Sequence, residues 1–198
     1  MVFNAQDIDI VVSDENWDPE FIKQAIVRAD DRYYLLKSRK RGATYQILYC
    51  RLPGWATDNT RRVKVDILVP PDLNLPMISA YEVDFINNIP VMPLFDLLVM
   101  KTQGWADHLV SNRIDQREKH GNDVSDIFAL LECAEQENVS YVDEAKEYRH
   151  SPDFMNHART LVNRFVNHYG RVRQWKALRF PVSKSSERAW LLRVASRR

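Results

Sequence analysis

In the first third of the chain, apolar and β-branched residues come in short runs broken by turn formers. Asp7-Ile8-Asp9-Ile10-Val11-Val12 reads as a short buried strand, β-branched and apolar between acids. Asp18-Pro19-Glu20 then supplies an N-cap, a proline at the first helical position and an acid in the first turn. Phe21, Ile22, Ala25 and Ile26 recur at helical spacing, which predicts a helix over 19–29. Strand-like segments follow at 32–36 and 44–52, separated by the polar turn 37–42 and closed by Pro53-Gly54. Residues 60–69 alternate until Pro70-Pro71 stops the pattern.

After Pro93 the period lengthens. Leu94, Leu97, Leu98, Lys101 and Trp105 fall three and four apart, behind a proline at the helix start. Residues 107–121 are polar and charged. Helices are predicted at 123–137, 141–149 and 152–169, a basic irregular stretch at 171–186, and a short helix at 189–194. Strands with one helix, then mainly helices, predict an α+β protein with segregated halves. The expected division is a small mixed-sheet half over 1–92, a helical half packed on it over 93–170, and a basic tail over 171–198.

Composition narrows the class. The 45% apolar and 28% charged residues suit a folded globular chain of 198 residues. No apolar run approaches the ~18 residues a membrane helix needs, so no membrane association is expected. The first residues carry neither a basic region nor a long apolar stretch, so no secretory signal is expected. Two cysteines, Cys50 and Cys133, exclude a disulfide scaffold and favour a reducing compartment, cytoplasmic or nuclear. There is no GxGxxG, no GxxxxGK[ST], no HExxH and no Gly-x-Ser-x-Gly, which removes the signatures of dinucleotide, P-loop, zincin and serine-hydrolase sites.

The net charge of +1 conceals an asymmetry. Residues 157–198 carry 11 Lys and Arg against one acid, Glu187, a net +10. The first 156 residues carry 17 Lys and Arg against 26 Asp and Glu, a net −9. Such a tail either meets a polyanion or lies on its own acidic body. Phe165 and Tyr169, four apart, are expected in the core of the 152–169 helix. Arg171, Arg173, Trp175, Lys176 and Arg179 are then the candidates for RNA or other nucleic acid, with Trp175 and Phe180 as contact rings.

The candidate chemistry lies in carboxylates. Asp7 and Asp9, two apart in a strand, point to one face, where they repel unless a cation sits between them. In the 62–69 strand, Val63, Val65, Ile67 and Val69 share one face and Lys64, Asp66 and Leu68 the other. If the two strands are neighbours, three carboxylates converge. Oxygen ligands of this kind suit Mg²⁺ or Mn²⁺, and two such metals about 4 Å apart serve phosphoryl-type transfer.

These runs, with Pro93-Leu94-Phe95-Asp96-Leu97-Leu98-Val99-Met100-Lys101 and Asn122-Asp123-Val124-Ser125-Asp126-Ile127, resemble the nucleotidyltransferase fold of the DNA polymerase β superfamily. The last is similar to the Lys-Asp-x-x-Asp-Leu motif of the abortive-infection toxin-type members, with Asn122 at the lysine position. The resemblance covers 5–135 and implies catalytic, metal-binding roles for Asp7, Asp9 and Asp66. It also implies nucleotide contacts for Lys101, Asp123 and Asp126. The implied reaction carries a nucleoside monophosphate from a nucleoside triphosphate to a hydroxyl of RNA, protein or a small molecule. The family's Gly-Gly or Gly-Ser motif precedes the paired acids. Six residues precede Asp7 here, so weak or no transfer is expected of this form. The alternatives are a degenerate module that binds nucleic acid or a protein, and, third, a metal-dependent nuclease, although no Glu-x-Lys follows Asp66.

Overall fold

The computed structural model describes residues 7–12, 14, 16–54, 61–70, 74–79, 81–140 and 150–195. It is an α+β protein with a small mixed sheet and helices. In chain order the elements are β1 (Asp7–Val11), α1 (Pro19–Ala29), β2 (Tyr33–Lys37), β3 (Gln46–Arg51), β4 (Arg62–Leu68), β5 (Asp84–Ile86) and β6 (Ile89–Val91). They are followed by α2 (Leu94–Val110), α3 (Ile114–Gln136), α4 (Pro152–Tyr169), α5 (Val172–Ala177) and α6 (Lys184–Ala195). The chain divides into two units, Met1–Met77 and Ile78–Arg198.

In the first unit the alternation of β4 decides the layers. Val63, Val65 and Ile67 are buried while Lys64, Asp66 and Leu68 are half-buried on the other side. The sheet order is β1-β4-β3-β2, with β1 parallel to β4 and the other pairs antiparallel. Ile22, Ile26 and Val27 of α1 pack on Leu48, Val65, Ile67 and Val69. That helix begins where the sequence predicts: Asp18 accepts the backbone N–H of Glu20 at 2.9 Å, and Pro19 needs no partner for a missing N–H. Lys23 is buried, and its ammonium is satisfied by Glu20 at 2.7 Å and the Gln46 carbonyl at 2.8 Å, which ties α1 to the start of β3.

β1 is not the buried strand its composition predicts. It forms an edge, and Ile8 and Ile10 are 43% and 41% exposed. The reason is position: α1 lies against β2 and β4 and leaves the β1 side of that face half-covered.

The second unit opens with the β5–β6 hairpin, which the hydrophobic pattern does not announce. Asn87 and Asn88 both take positive φ, 51° and 63°, as a type I′ two-residue turn demands. The helices then enclose one core of Leu98, Val99, Trp105, Ile127, Leu131, Val162, Phe165, Val166, Trp175 and Phe180. α2 packs on α3, α4 on α2 and α6, and α5 on α3. α4 has the predicted bounds, with Ser151 accepting the Phe154 N–H at 3.1 Å and Pro152 in the first turn. The polar stretch 107–121 is mostly helical, belonging to the end of α2 and the start of α3. Its charged residues face solvent, so no apolar period marks it. The helix expected at 141–149 lies outside the described residues.

The stretch 171–186 is not irregular throughout. Residues 172–177 form α5, and Trp175 is 0% exposed, edge-on to Phe165 at 6.5 Å and tilted on Phe180 at 6.0 Å. Phe180 is 1% exposed. Neither ring is on the surface where a stacking contact was expected of it. Trp175→Ala should therefore lower the unfolding free energy by about 3–5 kcal/mol, the usual range for a buried Trp truncation. Urea denaturation with the wild-type midpoint would contradict this placement.

Candidate functional site

The strand register assembles a charged face from residues two apart. In the parallel β1–β4 pair, Asp7 is the partner of Lys64 and Asp9 the partner of Asp66. Paired residues on adjacent strands share a face, so all four stand on the side of the sheet that α1 does not cover. Asp7, Asp9 and Asp66 therefore share one face of the sheet.

A cation already stands among them. The Lys64 ammonium is ion-paired with Oδ2 of Asp66, and both side chains are about one-third exposed, 36% and 34%. Partial burial works against the charge on Lys64. The Asp66 hydrogen bond and charge, with Asp7 and Asp9 adding to the field, outweigh it and hold the ammonium above the ordinary lysine value of 10.5. Lys64 thus offsets part of the repulsion among the carboxylates. The sequence signal was available, since Lys64 and Asp66 are separated by two in an alternating strand.

Among the described residues, no three His, Cys, Asp or Glu side chains stand together as a ready metal-binding group. One Asp66 oxygen is taken by Lys64. The donor chemistry still fits a hard divalent cation. The three carboxylates supply hard oxygen donors, and Asp7 and Asp9 are exposed.

The other expected residues lie in the second unit. Lys101 on α2 pairs with Asp126 on α3 at 2.9 Å, and His108 Nδ1 lies 2.6 Å from Asp123 Oδ2. These two links join neighbouring helices, so each nucleotide-contact candidate also has a structural role. A third pair, unforeseen from sequence, is deeper: Asp96 is fully buried, and His150 Nε2 lies 2.9 Å from its Oδ1 while stacking on Phe95.

The basic segment leans on α3. Arg171 sits 4.0 Å over the Phe128 ring and 3.7 Å from Glu132, and Arg173 pairs with Glu135 at 2.8 Å. Arg179 takes a left-handed φ of 57° and borders a cleft with Ala134, Asn138 and Val139. Lys176 is exposed beside the buried Trp175. Arg171 and Arg173, both named for nucleic acid, therefore use their charge on acids of α3.

No family model matches this chain, and no curated protein and no solved structure matches it.

The raised Lys64 has a consequence for stability. A group whose folded pKa lies above its unfolded value stabilises the fold fully below the unfolded value and loses that contribution as pH rises through the folded one. Lys64→Met should be less stable than wild type at neutral pH. The gap should close above the ordinary lysine range, near pH 10.5 and beyond. Urea titrations across pH 7–12 measure this; a gap that persists unchanged at high pH would show that Lys64 acts through packing alone.

Proposed function

We propose that the protein is a metal-dependent nucleotidyltransferase that carries a nucleoside monophosphate from a nucleoside triphosphate to a hydroxyl acceptor. The observation that supports this reading most is the β1–β4 register, with Asp9 beside Asp66 and Asp7 beside Lys64 on an open sheet face. Asp7, Asp9 and Asp66 would hold Mg²⁺ or Mn²⁺. When bound, the ion neutralises charge on the phosphates and lowers the pKa of a nearby hydroxyl.

The chain's own groups then have definable roles. Asp66, on the inner strand of the pair, takes the proton from the acceptor hydroxyl. The acceptor oxygen forms a bond to the α-phosphorus, the bond from that phosphorus to the bridging oxygen breaks, and pyrophosphate leaves. Lys64, held charged by its neighbours, is placed to attract phosphate oxygens once Asp66 turns to another partner. Catalysis by such a face rests on charge placement, since little covalent chemistry is asked of the protein.

A second reading is favoured by the same lysine. An ammonium already paired with Asp66 does part of a metal's electrostatic work, as a degenerate, non-catalytic module would have it. The two separate on activity. Incubation with labelled nucleoside triphosphates and Mn²⁺ should give weak incorporation that Asp66→Asn abolishes, a loss on the order of 10²-fold or more for removal of a general base. Incorporation equal in both proteins, or absent from wild type at every metal concentration, would overturn the transferase reading.

A further inference from the structure

The charged face does not end at β4. Continued across the sheet, the row of Asp7 and Lys64 runs into Tyr49 on β3 and Tyr34 on β2. The two rings stack at 5.8 Å between centroids with 24° between planes. In the adjoining row Arg62 and Arg51 are cross-strand partners. The Arg51 guanidinium lies 4.5 Å from the Tyr34 ring centre and that of Arg62 4.8 Å from the Tyr49 ring centre. Arg62 also donates to the Tyr34 hydroxyl at 3.3 Å, while Arg51 donates to the backbone carbonyl of Asp31. Tyr34, Tyr49 and Arg51 are half-buried and Arg62 is exposed. α1 packs on the opposite face.

This arrangement differs from an ordinary packing ladder. Two guanidinium groups lie over two stacked aromatic rings on the same side of a sheet, next to a cluster of acids that would hold a divalent ion. Rings accept any nucleobase on their faces, and planar guanidinium groups stack on bases and fork onto phosphates. With two rings and two guanidiniums spread over three strands, the surface is larger than one nucleotide needs. The charges also sort by side: acids on β1 and β4, cations and rings on β4, β3 and β2. A polyanion would be steered to the second side and kept off the first.

We propose that the surface formed by Tyr34, Tyr49, Arg51 and Arg62 binds a strand of single-stranded nucleic acid, with bases on the rings and phosphates on the guanidinium groups. This rests on the transferase reading only for its last step, in which the bound strand carries the acceptor hydroxyl. Strand binding itself needs no metal and no triphosphate.

The test is fluorescence anisotropy of the full chain with a fluorescein-labelled oligoadenylate in EDTA, alongside melting temperatures. Binding should weaken with salt at a log–log slope of roughly −1.4 for two phosphate contacts on a single strand. Arg62→Glu, at an exposed position, should weaken binding about tenfold or more with an unchanged melting temperature. Tyr49→Leu should weaken it about tenfold, and Tyr49→Phe, which keeps the ring, should bind as wild type. Wild-type affinity in Arg62→Glu, or the same loss in Tyr49→Phe as in Tyr49→Leu, would overturn the proposal. So would displacement of the strand by AMP at equal nucleotide concentration, which would assign the surface to a mononucleotide. A protein that binds the strand but never transfers a nucleotide would keep this inference and overturn the transferase reading alone.

Discussion

The parallel pairing of β1 with β4 is the constraint on which the candidate chemistry depends. Side chains alternate with a period of two, so a slip of one residue would place Asp7 and Asp9 on the α1 side and bring Ile8 and Ile10 to the open face. The register that occurs is the one that aligns apolar with apolar: Ile8 with Val65 and Ile10 with Ile67. The same choice aligns Asp9 with Asp66 and Asp7 with Lys64. Burial of one face thus sets the composition of the other. Carboxylates brought together in this way repel, and Lys64 supplies the nearest compensation.

Much of this was legible in the sequence, because strong local signals agreed with the tertiary fold. β4 alternates cleanly and is central, so its buried and open faces follow from spacing alone. α1 and α4 each have a proline in the first turn and a capping side chain in front of it, and their bounds are as the residues predict. Other features failed for identifiable reasons. The apolar content of β1 suggests burial, but neighbours decide burial, and an edge strand has one neighbour. The start of α3 is polar because solvent surrounds it, which removes the apolar period. α5 is only one and a half turns long and rich in cations, so its buried Trp175 resembles an exposed aromatic among basic residues.

Charge segregation along the chain reads differently once contacts are placed. Part of the excess positive charge after residue 157 is spent locally, through Arg171 on Glu132 and Arg173 on Glu135. Solvent-exposed pairs of this type add little to stability, typically 0–1 kcal/mol each. They do reduce the positive field offered to an outside polyanion. Meanwhile the pairing of guanidinium groups with rings on β2, β3 and β4 is invisible as a linear motif, since Tyr34, Tyr49, Arg51 and Arg62 belong to three strands. Only the antiparallel register brings them together.

The most direct test of the β1–β4 face is calorimetric titration of Mn²⁺ into the full chain and into Asp9→Ala. Asp9 is exposed and lies opposite Asp66, so its removal should take away a carboxylate without opening the core. Wild type should show a saturable site that is lost in the variant. Equal heats in the two proteins would contradict a cation site built on this register.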